Sequence, residues 1–172
     1  MSFPSSSPSS SSRDGDLITD RLRLRCWTAA DVAAVLGGDR PAGWAEDFPA
    51  DGDRVIAGLL EQHRDWLAAR GHRLIVERDG GPVVGSIGLF LPPREGTVEL
   101  GYGVVPSRRG RGYATEATRA LAALALALPG VHTVVAGVEL SNPASVRVLE
   151  KVGFVRLSAE GDLARYGLGR RR

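Results

Sequence analysis

A chain of 172 residues, 43% hydrophobic and 24% charged, has the length and composition of one folded domain with a substantial core. Its formal net charge of +2 is exceeded by the terminal run Arg170, Arg171 and Arg172 alone, so the body is near neutral and lacks the electrostatic footprint of a nucleic-acid binder. Cys26 is the only cysteine and His63, His72 and His132 are scattered without ligand spacing, so neither a disulfide nor a bound metal is expected, and no run of about 18 apolar residues would span a membrane.

Residues 1–16 are rich in Ser and Pro, lack the apolar segment of a secretory signal and have too little to bury. They are expected to form a disordered tail, with the folded domain over residues 17–170 and the protein in the cytoplasm. Asp20 to Trp27 (DRLRLRCW) alternates apolar and charged residues, the period of a strand with one wet face. Thr28 to Leu36 reads as a capped helix ending at Gly37-Gly38. An acidic loop follows, with Glu46, Asp47, Asp51 and Asp53, which reads as solvated or else as attracting a cationic acceptor, and in which Trp44 is either packing or cleft lining. Asp53 to Arg70 sets Ile56, Leu59, Leu60 and Trp66 at helical spacing and stops at Gly71. HRLIVER and PVVGSIGLFL flank the turn DGG, a hairpin signal. Thr97 to Val105 is a fourth strand, Gly112 to Leu128 a helix, and VHTVVAGVEL a buried-type strand. A short helix from Asn142 closes at Gly153, and FVRLSAEG and LARYGLG complete a strand pair.

The order β-α-α-β-β-β-α-β-α-β-β, a hairpin meander feeding a crossover helix, implies an α+β (mixed α/β) single domain and not a doubly wound parallel sheet. Gly101 and Gly103 lie inside the fourth strand, where glycine packs nothing. They mark either a bulge with a ligand close to the backbone, or a tight bend under a helix.

After that strand comes PSRRGRGYATEA, Pro106 to Ala117, three arginines and two glycines at the start of a helix. A helix N-terminus offers unbonded N–H groups and the positive end of the dipole, and glycines let a bulky anion approach them. The loop is therefore built to seat a phosphate, most naturally a pyrophosphate. It lacks the lysine of a P-loop, and Thr115 stands where a dinucleotide fingerprint needs its third glycine.

Arg109, Gly110, Arg111, Gly112, Tyr113 and Ala114 match the pattern [RQ]-x-x-G-x-[GA], and here the chain resembles the GNAT superfamily of acyl-CoA-dependent N-acetyltransferases. RGRGYATEA and NPASVRVLEKVGF, the latter carrying Asn142, Ser145, Leu149, Glu150, Gly153 and Phe154, are similar to its RimJ/RimL branch over roughly Leu17 to Leu168. The resemblance implies a mixed, mostly antiparallel sheet splayed at the fourth strand and flanked by helices. It implies acetyl-CoA as co-substrate, its pyrophosphate on the N–H groups of Arg109 to Ala114, with Arg108 and Arg111 as phosphate contacts and Asn142 nearby. It further implies that the pantetheine arm lies along Gly103, Val104 and Val105, with the N–H of Val104 or Val105 polarising the thioester carbonyl, and that the glycines let this strand bulge and part from its neighbour.

Ser145 corresponds to a serine near the CoA sulfur in that branch, and also suits a capping hydroxyl in the first turn of its helix. No tyrosine follows it, since Val148, Leu149 and Glu150 occupy the next turn. Glu99 is placed like a glutamate that serves some GNAT enzymes as general base, and equally reads as a carboxylate on a wet strand face. Asn142 before Pro143 is an N-cap in its own right, and Glu116 is explained by the helix dipole. The expected partner is a primary amine, of a protein N-terminus or a small molecule, with no nucleic acid and no membrane; a homodimer is compatible with the sequence. The alternative is a GNAT-fold module that binds acyl-CoA without catalysis.

Overall fold

The computed structural model describes residues 15–171, so most of the expected tail lies outside the described residues. The elements are β1 (Leu17–Ile18), β2 (Leu22–Cys26), α1 (Ala29–Gly37), α2 (Asp51–Gln62), α3 (Asp65–Ala69), β3 (His72–Glu77), β4 (Val83–Arg94) and β5 (Thr97–Val104). A 3-10 turn at Pro106–Arg108 leads to α4 (Tyr113–Ala127), β6 (Thr133–Glu139), α5 (Pro143–Val152), β7 (Val155–Glu160) and β8 (Leu163–Gly169). They form the expected mixed α+β domain on one eight-stranded sheet, in the order β1-β2-β3-β4-β5-β6-β8-β7. Every pairing is antiparallel except β5 with β6.

Helices cover both faces. Ser86 on β4 hydrogen-bonds Asp53 of α2, and its register partner on β5 is Gly103. Tyr102, one residue earlier and so on the opposite face, donates to the Ser145 carbonyl of α5. The core is aliphatic, with Leu22, Leu24, Leu60, Leu74, Ile75, Ile87, Leu100, Leu121 and Leu149 shut off from solvent around Phe48. Thr28 caps α1 reciprocally with Asp31, which also pairs with Arg25 at 2.8 Å.

Three expectations about elements are corrected. The helix expected over Asp53 to Arg70 is two helices, broken at His63, whose φ and ψ are −123° and 72°. The His63 ring stacks on Trp66 at 4.6 Å and Trp66 on His72 at 5.7 Å, so an aromatic stack replaces helical continuity. β4 runs past Leu91 to Arg94, its prolines sitting where the ladder with β5 shifts register. Glu95 and Gly96, both at positive φ, close that hairpin as a two-residue turn.

The bulge expected at Gly101 and Gly103 is absent from the β4–β5 ladder, which keeps register from Gly85↔Val104 to Phe90↔Glu99. Sterically obligatory glycines sit instead on β4. A Cβ at Gly85 would stand 2.1 Å from the Gly103 carbonyl oxygen, and one at Gly88 2.2 Å from His72 Nδ1. A Cβ at Gly103 would meet nothing within 4 Å. Gly85→Ala should therefore lower the melting temperature by about 5 °C or more, since backbone cannot give way. Gly103→Ala should melt within about a degree of wild type; thermal melts of the two variants check this ordering.

Candidate functional site

The site begins where the sheet comes apart. β5 pairs with β6 at only Thr97↔Thr133, Val98↔Val134 and Glu99↔Val135, while its ladder with β4 continues to Val104. The Val105 N–H donates to Val84 O at 2.9 Å and is thus spent on β4. Strand alternation then turns the Val104 N–H into the gap. Of the two N–H groups weighed from the sequence, Val104 is the one left to act. Arg109 Nε closes the end of the gap by donating to Val104 O at 2.9 Å.

Beyond the gap, Gly110 and Gly112 take left-handed φ values of 75° and 79°, which side chains resist. Gly112 is the N-cap of α4 and supplies no side-chain bond, so the first N–H groups of that helix face outward without a capping acceptor. A cavity of about 490 Å³ opens there, lined by Gly103, Val104, Arg108, Arg109, Gly110, Gly112, Tyr113, Ala114, Asn142 and Ser145. Tyr102, Arg147 and Lys151 join the lining and were not singled out in the sequence. Arg147 and Lys151 fall one turn apart on α5, a spacing that carries weight only once the helix is known to face α4.

Two arginines of the loop pair with acidic side chains, Arg108 while lining the cavity and Arg111 outside it. Arg108 Nε lies 3.2 Å from Glu77 Oε1 and its Nη1 3.4 Å from Glu46, and Arg111 Nη1 stands 3.9 Å from the same Glu77 oxygen. Neither Arg111 nor the buried Val105 lines the cavity. The loop is held from outside by Arg21, which donates from Nη1 to Arg111 O at 2.7 Å, lies over the Tyr113 ring and pairs with Glu116 at 2.8 Å. Burial acts to raise the Glu116 carboxyl, but bonds from the Arg21 N–H, Thr19 and the Arg21 side chain hold it below its ordinary value. Glu116 is thus an anchor as well as a dipole partner. Asp47 of the acidic loop accepts from Ser107 N at 2.8 Å and Ser107 Oγ at 2.6 Å, pinning the 3-10 turn.

Asn142 accepts from Ser145 N at 3.3 Å, the N-cap read from the sequence. Ser145 is thereby fixed from two sides, by Asn142 and by the Tyr102 hydroxyl at 3.2 Å on its carbonyl. Burial raises the Tyr102 phenol above its ordinary value.

A second cavity, of about 310 Å³, lies on the α2 face of the sheet and shares Tyr102, Gly103, Val104 and Arg109 with the first. Its floor is Ser86, Gly88 and Gly101, and its walls include Asp53, Ile56, His72 and Phe90. Glu99 is exposed and lines neither cavity, but as the strand residue two before Gly101 it stands on the same face, at the rim. His72 was not read as a site residue, and Asp53 only as one member of an acidic loop that is either solvated or attracts a cationic acceptor. The signal that identifies them is burial: 4% and 5% exposure for groups that are ordinarily solvated. Trp44 packs edge-on against Phe48 at 5.0 Å and lines neither cavity. Among the described residues no group of three or more His, Cys, Asp or Glu is placed to hold a metal, and no helix is long and apolar enough to cross a membrane.

A mixed sheet parted over an uncapped, glycine-flanked helix start thus carries a cavity on either side of the parting. The chain belongs to the acetyltransferase (GNAT) domain family, whose sequence description matches residues 21–155. It is 32% identical to the uncharacterized N-acetyltransferase YoaA of Bacillus subtilis over 156 residues, 87% of this chain and 86% of that one. With the uncharacterized N-acetyltransferase YjdG of the same organism it shares 36% identity over 83 residues, spanning about half the length of either protein. The fold is also that of a ribosomal L7/L12 α-N-protein acetyltransferase, RimL, solved in complex with coenzyme A, at a TM-score of 0.65 and 16% identity, covering 89% of this chain and 96% of that one.

His72 gives a pH dependence to the fold. Burial pushes its imidazole down to about 4 from an ordinary 6.5. The unfolded chain binds this proton below about 6.5 and the folded chain only near 4, so stability falls as pH drops through that window, by about 3 kcal/mol in all. Melts at pH 6.5 and 4.5 should show a drop in the wild type that is clearly smaller in His72→Phe, which keeps a ring in the stack and cannot titrate; the carboxylates that titrate in this window are common to both proteins.

Proposed function

We propose that this protein transfers an acetyl group from acetyl-CoA to a primary amine, by direct attack of the amine in a ternary complex. The observation that carries the reading is the meeting of two cavities, one on each face of the sheet, at Tyr102, Gly103, Val104 and Arg109. Two substrates can enter from opposite sides and touch only there, which is what a direct transfer requires.

The α5-side cavity suits acetyl-CoA. The outward N–H groups at the start of α4, between the left-handed Gly110 and Gly112, fit its pyrophosphate, and Arg147 and Lys151 add charge. Its extended arm would lie along the gap-side edge of β5, where Gly103 leaves open space. The Val104 N–H then meets the thioester carbonyl oxygen as charge develops on it. The amine nitrogen attacks the carbonyl carbon from the α2 side, the C–S bond breaks and the acetyl group stays on nitrogen. The nitrogen's surplus proton passes through water to Glu99, and the departing thiolate takes a proton from solvent relayed through the Ser145 hydroxyl, which is reprotonated as it donates.

The acceptor is a protein N-terminal α-amine or a small-molecule amine. An α-amine with a pKa of about 7.7–8.0 is partly neutral near pH 7, whereas a lysine-like amine at about 10.4 needs more help from the base. A RimJ/RimL-like assignment rests on the motifs RGRGYATEA and NPASVRVLEKVGF, and the fold shared with RimL is compatible with it. An acceptor screen with acetyl-CoA and thiol release as readout tests the proposal; tight acetyl-CoA binding with no release for any amine would leave the binding-module reading in its place.

Gly112→Asp should abolish acetyl-CoA binding in a folded protein, because it sets a strained side chain and a negative charge against the pyrophosphate seat; calorimetry measures it. Glu99→Gln should slow the chemical step by about 10²–10⁴ with acetyl-CoA affinity nearly unchanged, and the defect should shrink as pH rises and free neutral amine accumulates. Ser145→Ala should cost less, since a thiol with a pKa of about 8.5 already leaves fairly well. Single-turnover rates against pH for both variants check the ranking.

A further inference from the structure

The α2-side cavity contains a carboxylate with no counter-ion. Asp53 is 4% exposed, and among the described residues it enters no ion pair. Its two bonds come from neutral donors, Ser86 Oγ to Oδ1 at 2.5 Å and the Ala50 N–H to Oδ2 at 2.8 Å. A carboxylate has about four acceptor positions, so two remain. Closing the first turn of α2 accounts for the Ala50 bond. It does not account for a buried anion on a mostly apolar cavity wall, which is costly unless a cation joins it.

The cations nearby do not serve. His72, on the same wall, is neutral down to about pH 4. Arg109 gives its Nε to Val104 O. Arg54, next in sequence, is exposed and lies 3.5 Å from Asp51. Burial accordingly leaves the Asp53 carboxyl above its ordinary value, with Ser86, Ala50 and the charge of the exposed Arg54 holding it back only in part.

We propose that Asp53 is the counter-ion for the acceptor, so that the α2-side cavity takes a primary ammonium borne on a compact apolar or aromatic body. The apolar body is matched by Ile56 and the rings of Phe90 and His72, and the small residues Gly88 and Gly101 leave it room. The position suits the chemistry as well. Ser86, which holds Asp53, is the register partner of Gly103, and Gly103 is shared by both cavities. An amine on Asp53 is therefore one cross-strand pair from the junction. Asp53 accepts a hydrogen bond from the ammonium and from the neutral amine alike, so it captures and aims the nitrogen; the ammonium releases one proton to solvent before it attacks, and Glu99 receives the second after attack. Asp53 is in this sense a positioning and specificity residue for the acetyl transfer proposed above, on which the inference rests.

The test uses the full chain with coenzyme A, which cannot react, and two probes of the same shape, phenethylamine and 2-phenylethanol. Calorimetry should show the amine binding at least tenfold more tightly than the alcohol in the wild type, and Asp53→Asn should reduce that preference to less than about threefold. Amide shifts of Ser86, Gly101 and Gly103 should move on titration with the amine. Ser86→Ala, which loosens the carboxylate without removing its charge, should weaken amine binding by a smaller factor. In turnover, Asp53→Asn should raise the KM for the amine at least tenfold with kcat changed less than about threefold. Equal wild-type affinity for amine and alcohol, an undiminished preference in folded Asp53→Asn, or shifts confined to another surface would each overturn the inference. Absence of acetylated product from any amine would defeat the catalytic reading alone, because the binding preference is measured without turnover.

Discussion

The site depends on one constraint: β5 can be paired on both edges for only part of its length. Up to Glu99 it is an interior strand between β4 and β6; beyond it, β6 has gone and one edge is bare. Because neighbouring residues of a strand present their amides to opposite sides, the departure frees Val104 while leaving Val105 committed to Val84. It also leaves Gly103 bordering open space on both faces, and this is where the two cavities meet. The loop that follows, its left-handed glycines and the uncapped start of α4 continue the same open edge.

Keeping that edge open takes polar restraint from distant parts of the chain. Arg21, Thr19 and Glu116 tie the β1–β2 turn to α4, and Arg21 reaches on to the Arg111 carbonyl. Asp47 holds Ser107, and Glu77 and Glu46 pair with Arg108. Most of these groups are partly exposed, where a single ion pair contributes little to stability. Their common effect is on position: they hold the loop by its outer side, so that its inner amides stay unobstructed.

The elements were largely legible because their signals are local. Alternation marked β2, the turn DGG marked the β3–β4 hairpin, Thr28 marked a cap, and the glycine and arginine spacing before α4 marked the anion seat. Where reading failed, the deciding partner lay far along the chain. The split of α2 from α3 comes from His63 and Trp66 meeting His72 on a strand. The acidic loop read as solvated, yet Asp53 is buried because Ser86 on β4 receives it. Arg111 belongs by spacing to the motif, but Glu77, two strands away from the loop, attracts its side chain. Gly101 and Gly103 announced an unusual strand; which of its edges was affected depended on the path of β6, which no local pattern records.

A sheet that parts in its middle carries two edges more than its strand order suggests. Besides the outer edges at β1 and β7, unpaired backbone runs along β5 past Glu99 and along the gap side of β6 past Val135. Such edges are templates on which extended chains of other molecules can add, and proteins ordinarily blunt them with charge, proline or cover. Here each inner edge is only a few residues long, and that of β5 is closed at its far end by Pro106 and the Arg109 guanidinium on Val104 O. The opening that admits a ligand is thereby kept too short to admit a neighbour's strand, and resistance to aggregation is set by the same few residues that set the width of the site.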